Sequence, residues 1–215
     1  MSTPSTTGDR WSAEFWDAHY AGRPQVWSGR VNPVLAEQVA DLAPGRALDV
    51  GCGEGGDAVW LAGRGWRVDA VDVSAVALDR ARGAAEAAGV AERITLRAAD
   101  LRTDPPPPSS YDLVSAQFLH LPPDVRRPLY AALAEAVAPG GTLLLVLHHR
   151  RDLDAGIPRP PEPEVFPDER ELAAELDPAG WEVLVARARP RPATLPDGTA
   201  VTAHDTVVRA RRTGA

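Results

Sequence analysis

The sequence predicts an α/β protein with a doubly wound, mostly parallel sheet, and three observations lead to this fold class. From Arg46 onward, short apolar segments typical of strands alternate with segments of helical length, as in parallel sheets covered by helices on both faces. A glycine-rich turn follows the first of these strands, where α/β proteins place ligand-binding loops. Near the end of the chain two strand-like segments follow one another without a helix, which predicts a hairpin with one antiparallel strand.

The first 45 residues predict a tail and two helices. Residues 1–10 are small, polar and aperiodic, so we expect a disordered tail. The first helix spans 12–22, with Ser12 as its N-cap and Gly22 just past its end. The second spans 32–45 and begins with Asn32 as cap and Pro33 at the first helical position. We expect residues 11–45 to form a helical lid segment.

The rest of the chain predicts a seven-stranded Rossmann-like sheet. Strands are predicted at 46–50, 66–72, 93–100, 111–118, 141–149, 181–189 and 202–212, and helices at 55–65, 74–89, 124–137 and 168–176. The last two strands supply the hairpin, so one strand near the C-terminus is antiparallel to the others. We therefore predict a single domain over residues 11–215, with a ligand-binding core at 46–147 and a loop and terminal hairpin at 148–215.

Two proline-rich segments interrupt this pattern. Residues 103–112 are interpreted as a stiff surface connection rather than an interaction motif. Residues 154–169 are too long for a plain connector, and we interpret them as a loop that covers a substrate.

Composition restricts the classes of partner and location. The net charge of −7 argues against a nucleic-acid partner, and no apolar stretch is long enough to span a membrane or to serve as a signal peptide. One cysteine excludes an internal disulfide. We expect a cytoplasmic monomer or homodimer. Every basic residue other than the histidines is Arg, so an Arg is not singled out merely for its type.

The segment LDVGCGEGG, residues 48–56, combines glycines with acidic residues. Its spacing Gly51-x-Gly53-x-x-Gly56 fits the dinucleotide fingerprint, in which backbone amides approach a pyrophosphate. Asp49 and Glu54 would repel that group but would attract a ligand carrying an ammonium and a sulfonium, as S-adenosylmethionine does. Cys52 lies between two glycines, and we interpret it as a small buried residue at this site.

Acidic residues also end the next two predicted strands. Asp72 lies 21 residues after Gly51, where a carboxylate can accept both hydroxyls of a ribose. Asp100 ends the third strand, where it can accept from an adenine amine while the backbone N–H of Leu101 meets a ring nitrogen. Carboxylates at three successive strand ends favour S-adenosylmethionine over a dinucleotide.

The segments LDVGCGEG, VDAVDVS, LRAADL, YDLVSAQFLHL and APGGTLLLV resemble, in this order, the motifs of the class I S-adenosylmethionine-dependent methyltransferases. The resemblance covers about residues 46–147 and implies a cofactor site. The residues it implies are Asp49, Gly51 and Gly53 around the methionine part, Asp72 and Val73 at the ribose and adenine, Asp100 and Leu101 at the adenine edge, and Gln117 near the methyl group.

Residues 15–35 resemble the N-terminal segment of small-molecule methyltransferases of the thiopurine and tellurite-resistance type. This resemblance implies that an aromatic residue, Trp27, closes over the cofactor. We expect the acceptor to be a small molecule that contacts Phe15, His19, Tyr20 and His148. Phe15 has an equally plausible role in simply anchoring the first helix.

The histidines supply the candidate catalytic group. His120 follows the fourth strand, three residues beyond Gln117, and is predicted to take the proton of the acceptor. Because no base with an orienting partner is evident, a thiol or other soft nucleophile is favoured. No Cys/His spacing predicts a metal site. Two alternatives remain open, an NAD-dependent oxidoreductase and a binding module that holds S-adenosylmethionine without chemistry.

Overall fold

A computed structural model describes residues 10–160 and 162–214, and it contains one seven-stranded sheet with the strand order β3-β2-β1-β4-β5-β7-β6. The strands are β1 (Arg46–Val50), β2 (Arg67–Asp72), β3 (Ile94–Ala98), β4 (Tyr111–Gln117), β5 (Val137–His148), β6 (Trp181–Thr194) and β7 (Ala200–Arg212). The pairs among β1 to β5 are parallel, and β7 pairs antiparallel with both β5 and β6. The predicted fold class is therefore confirmed, including its single antiparallel strand.

Seven α-helices flank the described part of the sheet. They are α1 (Ala13–Ala21), α2 (Pro33–Gln38), α3 (Gly56–Gly63), α4 (Ala75–Ala87), α5 (Pro123–Ala136), α6 (Arg151–Asp154) and α7 (Glu169–Ala174). The predicted N-caps of the first, second and fourth helices are confirmed, because the side chains of Ser12, Asn32 and Ser74 each accept a backbone N–H of the first turn.

The core forms one layer on each side of the sheet. The α5 side contains Leu129, Leu133 and Leu145, all at most 5% exposed, and the α3 side contains Leu61, Trp66 and Val146. At about 1.5–3 kcal/mol for each fully buried large apolar side chain, these layers supply much of the stability that holds the strand ends in place.

Several boundaries differ from those predicted. α2 ends at Gln38 rather than near residue 45, because Val39, with φ −112° and ψ 6°, already leaves the helical conformation. Strands β6 and β7 have 14 and 13 residues and are longer than predicted. Residues 1–9 of the predicted tail lie outside the described residues, whereas Arg10 forms an ion pair with Glu162 at 2.8 Å.

Strand β6 forms one edge of the sheet. It exposes Val183 and Leu184, and it contains Pro190 and Pro192, which lie opposite His204 and Thr202 of β7. Among the described helices, none is both long enough and apolar enough to cross a membrane.

Candidate functional site

The strand order reverses between β1 and β4, which is where doubly wound sheets bind ligands, beyond the C-terminal ends of the strands. A cavity of about 890 Å³ opens at this position, within the size range of ligand pockets. It runs from the ends of β1, β2 and β3 beneath α1 to the end of β5 and the middle of β6 and β7. Every predicted site residue except Asp49 borders it.

The glycine loop after β1 uses its own amides within the protein. The N–H groups of Gly51 and Cys52 donate to the Val71 carbonyl at 2.8 and 3.1 Å, and that of Gly53 donates to Asp72 at 2.9 Å. The dinucleotide fingerprint requires loop amides that are turned toward a pyrophosphate. Here these three amides donate to other groups of the protein instead. This arrangement speaks against the oxidoreductase alternative.

Close packing explains two glycines of this loop. Gly53 has a φ of +52°, and a Cβ there would lie 2.9 Å from the hydroxyl of Tyr20 and 3.4 Å from the Trp27 ring. A Cβ on Gly56 would lie 2.9 Å from the Arg30 carbonyl. Both glycines allow residues 20–30 to lie directly on the loop.

Three aspartate carboxylates, two of them buried, surround this loop. Asp72 accepts the N–H groups of Gly53 and Ser74, each at 2.9 Å, and burial raises its pKa. Asp57 borders the cavity, accepts the Asn32 N–H at 2.6 Å, and burial raises its pKa to about 6. Asp49 lies behind the loop at 2% exposure, with no hydrogen-bond partner for Oδ2 among the described residues, and burial followed by the Asp57 and Asp72 charges raises its pKa. A cationic ligand would relieve this concentration of acidic groups.

Asp100 is placed at the end of the cavity near β3, as predicted, but it is already paired. Arg102 donates through Nε to both carboxylate oxygens at 2.9 Å, and this hydrogen bonding lowers the pKa of Asp100. Leu101 is buried beside it and lines the same cavity. An adenine amine would therefore share the Asp100 carboxylate with Arg102.

Glu54 fastens the lid segment to the glycine loop. Its carboxylate accepts the Trp27 N–H at 2.7 Å and the Val26 N–H at 3.2 Å, and it pairs with Arg80 of α4 at 2.7 Å. The Trp27 indole donates to the Tyr20 hydroxyl at 2.9 Å. Glu54 also borders the cavity, and its expected attraction for a ligand cation stays a prediction.

Gln117 links the lid to the sheet. Its side-chain oxygen accepts from the Asn32 amide and its nitrogen donates to Ser115, both at 2.7 Å. The next residue, Phe118, has a φ of +57°, which non-glycine residues rarely adopt and which is common at functional sites. Phe15 and His19 of α1 stack at 6.5 Å and also border the cavity.

The surroundings of His120 argue against its predicted role as the base. Its Nε2 accepts the backbone N–H of His148 at 3.1 Å, so the lone pair that would take a proton is occupied. Burial, followed by the nearby His148 and Arg159, lowers its pKa to about 3. An imidazole with this pKa is a poor proton acceptor near neutral pH.

The structure instead gives His148 an orienting partner that the sequence did not reveal. Asp205 of β7 lies opposite His148 in the β5–β7 register, and Nδ1 of His148 is 3.6 Å from Oδ1 of Asp205. Asp205 also accepts from Nε of Arg191 at 3.0 and 3.1 Å. Side chains alternate between the two faces of β7, and this alternation places Asp205 on the cavity face. The sequence near Asp205 does not show which residue of β5 lies opposite it, so the pair could not be predicted.

Comparison with known proteins agrees with this geometry. A methyltransferase domain family matches residues 47–141. In solved structures, a protein from work on the conversion of a disulfide bond into a thioacetal group during echinomycin biosynthesis superposes with a TM-score of 0.73 and 26% identity, covering 94% of this chain and 91% of that one. The chain thus has a methyltransferase domain over its ligand-binding core and is similar in fold to this solved structure. The family match supports S-adenosylmethionine as the cofactor.

Two curated relatives are methyltransferases as well. The tRNA 5-carboxymethoxyuridine methyltransferase of Escherichia coli K12 is 31% identical over 174 residues, 70% of this chain and 65% of that protein. The probable chloroplastic tocopherol O-methyltransferase of Oryza sativa is 30% identical over 139 residues, 64% of this chain and 37% of that protein. The chain thus spans less than two thirds of the length of these relatives.

The residues present fit S-adenosylmethionine. Asp72 retains lone pairs for ribose hydroxyls beside its two amide contacts. The Asp57 carboxylate borders the cavity, where its charge would attract a ligand cation, and Asp49 lies behind the loop with its Oδ2 unpartnered. The apolar parts of such a ligand, among them the adenine ring, match Leu101, Phe118 and Leu119, which line the cavity. Among the described residues, no group of His, Cys, Asp and Glu side chains is arranged to hold a metal ion.

Proposed function

We propose that the protein transfers the methyl group of S-adenosylmethionine to a small-molecule acceptor. The observation that carries this proposal is the continuity of the cavity, which joins Asp72 at the end of β2 and Asp57 of α3 to His148 at the end of β5. One ligand at the carboxylate end and a second at the His148 end would therefore meet inside a single space.

Within this space the chain's own residues have distinct tasks. Asp72 binds the ribose, and Asp49 and Asp57 favour the cationic cofactor over its neutral product. Trp27, held by Tyr20 and Glu54, closes the outer side and excludes water. Bound S-adenosylmethionine supplies an electrophilic methyl group, so the remaining requirement is a nucleophile held within about 3–3.5 Å of it.

We propose a thiol or other soft nucleophile on the acceptor. Aromatic and apolar side chains, among them Phe15, Trp16 and Phe118, line the space between the lid and His148. Such surroundings suit a polarisable sulfur better than a strongly hydrated amine or alkoxide. A thiol with a pKa near 8.5 also loses its proton more easily than an alcohol.

The experiment is a calorimetric titration followed by a transfer assay. S-adenosylhomocysteine should bind and NADH should not, and the protein should then methylate members of a panel of aromatic thiols with methyl-labelled cofactor. Binding of NADH alone would refute the methyltransferase proposal. Binding of S-adenosylhomocysteine without transfer to any thiol, phenol or amine would favour a binding module instead.

Bulk tRNA belongs in the same assay because one relative is a tRNA methyltransferase. The net charge of −7 predicts that tRNA is not methylated, since most of the surface repels its phosphates. Labelling of tRNA at the rate of the best small acceptor would overturn the choice of a small molecule.

A further inference from the structure

The side chain of His148 packs against two other rings. Its ring lies 4.4 Å from that of Phe118 and 5.0 Å from that of His120, measured between centroids. Its backbone N–H donates to Nε2 of His120 at 3.1 Å. His120 therefore positions the end of β5, and the left-handed turn at Phe118 brings that ring against the imidazole.

The nitrogens of the His148 ring face Asp205 and the cavity. Nδ1 of His148 faces Asp205, which is only 2% exposed, while Nε2 makes no hydrogen bond within residues 10–160 and 162–214. At 3.6 Å, Asp205 is an ion-pair partner of protonated His148 rather than a hydrogen-bond partner of the neutral ring. Its charge favours the ring orientation that turns Nδ1 toward it, and it stabilises the charge that His148 gains when Nε2 takes a proton. This is an arrangement that suits a general base.

Strand pairing gathers cationic groups beside the pair. Arg189 lies opposite Asp205 in the β6–β7 register, and Arg191, two residues further along β6, lies on the same face. Arg191 uses only Nε for Asp205, so both of its Nη nitrogens remain for another partner. Arg159 borders the same end of the cavity and pairs with the fully buried Asp152.

We propose that His148 is the general base of the methyl transfer, that Asp205 positions it, and that the acceptor carries a carboxylate or comparable anion bound by Arg191. This inference rests on the proposed function and adds the base and the class of acceptor. The acceptor is thus a small organic acid that bears a thiol or an acidic hydroxyl.

The step balances without any further reactant. The acceptor atom forms a bond to the methyl carbon, and the bond from this carbon to the sulfonium sulfur breaks with its electron pair on sulfur. The acceptor's proton moves to Nε2 of His148 and later to solvent. The products are the methylated acceptor and S-adenosylhomocysteine.

Charge balance explains why the acceptor should be an anion. The charged or titratable groups facing His148 are Asp205 of β7, Arg191 of β6, Arg159 of the loop after α6 and His120 after β4. Burial lowers the pKa of His148, Asp205 raises it, and the two arginines lower it further. Protonation would place three cations, His148, Arg191 and Arg159, against two carboxylates, Asp205 and the Asp152 that pairs with Arg159. An anion on the acceptor offsets the remaining positive charge.

The first test uses variants and pH. His148→Gln should lower kcat about 10²-fold or more while leaving the affinity for S-adenosylhomocysteine unchanged. His204→Gln is the matched control, because His204 precedes Asp205 in β7 and does not border the cavity. Wild-type activity of His148→Gln would overturn the role of His148.

The pH profile separates a base from a merely structural group. Activity should fall on the acidic side as His148 gains a proton. Asp205→Asn should move this limb to lower pH and Arg191→Gln should move it to higher pH, because the lost groups act on His148 with opposite signs. The assignment would be refuted if the acidic limb moved in the same direction in both variants or did not move in either.

The second test uses matched acceptors, 4-mercaptobenzoate and its neutral amide. The acid should be methylated with the lower KM, and Arg191→Gln should raise that KM at least tenfold without affecting the amide. Arg187→Gln is the control, since Arg187 lies on the same face of β6, pairs with Glu37 and does not border the cavity. If a protein that binds S-adenosylhomocysteine methylates no carboxylate-bearing thiol or phenol, the inference fails. If it binds no S-adenosylhomocysteine, the proposed function fails instead.

Discussion

Replacing Asp72 by Asn tests whether the carboxylate at the end of β2 both holds the glycine loop and binds the ribose. The carboxylate accepts the N–H groups of Gly53 and Ser74, each at 2.9 Å. An amide has one oxygen, so one of these N–H groups loses its acceptor and faces an NH₂ group instead. The same change removes the negative charge that ribose hydroxyls would meet.

The two effects differ in size. A hydrogen bond to a charged group contributes about 1.5–3 kcal/mol, so each lost contact weakens S-adenosylhomocysteine binding about 10- to 150-fold. The effect on stability is smaller, because burial disfavours the charged form of Asp72 and the neutral amide avoids this cost. The free energy of unfolding should therefore fall by at most about 2 kcal/mol. At about 2–4 °C per kcal/mol for a domain of this size, Tm should fall by at most about 4–8 °C.

Calorimetry gives the affinity and a thermal melt gives Tm for the same preparation. Asp69→Asn is the control, because Asp69 lies on the same strand but accepts from the Tyr111 hydroxyl and Arg46 away from the cavity. An unchanged Kd with a lowered Tm would show that Asp72 only supports the loop. That result would refute the ribose contact.

Three further changes test the lid and the buried acid. Glu54→Gln should loosen residues 26–27 by removing the charge that accepts their N–H groups, and hydrogen exchange there should accelerate; unchanged exchange contradicts this. Trp27→Phe should abolish the fluorescence change that S-adenosylhomocysteine causes in the wild type, and a signal identical in both excludes Trp27 from the site. Because burial raises the pKa of Asp57 to about 6, against about 4 when unfolded, the folded state binds this proton more tightly and is stabilised as pH falls from 7 to 4. Urea unfolding should show that this gain is smaller in Asp57→Asn, and equal gains in both proteins contradict the assignment.

Local patterns predicted the helix starts and the positions of the strands along the chain well. Ser12, Asn32 and Ser74 cap helices because their side chains bond amides two or three residues away, and such short-range contacts follow from residue type. The glycine and aspartate positions of the candidate cofactor site could also be predicted, because glycines follow the apolar segment of β1 and an aspartate ends that of β2. These features depend on neighbours in sequence.

Contacts between residues far apart in the chain could not be predicted from the sequence. Asp205 reaches His148 only because β7 pairs with β5 in one register, and a shift by one residue would turn Asp205 to the other face. The Glu54–Arg80 pair likewise needs α4 to pack beside the glycine loop. His120 was predicted as the base from its position on the ligand-binding edge, and that position is correct. Its hydrogen bond from the backbone N–H of His148 depends on how the ends of β4 and β5 meet, which the sequence does not show.

The prolines of β6 have a consequence for how copies of this chain can meet. In an edge strand, prolines occupy positions whose nitrogen points away from the neighbouring strand. Pro190 and Pro192 therefore remove two successive outward donors, and an incoming strand would find no N–H to pair with at either position. The arginines between and before them, Arg191 and Arg189, keep their amides for β7. The mouth of the cavity beside them is thus protected from edge-to-edge sheet extension and stays open to small solutes.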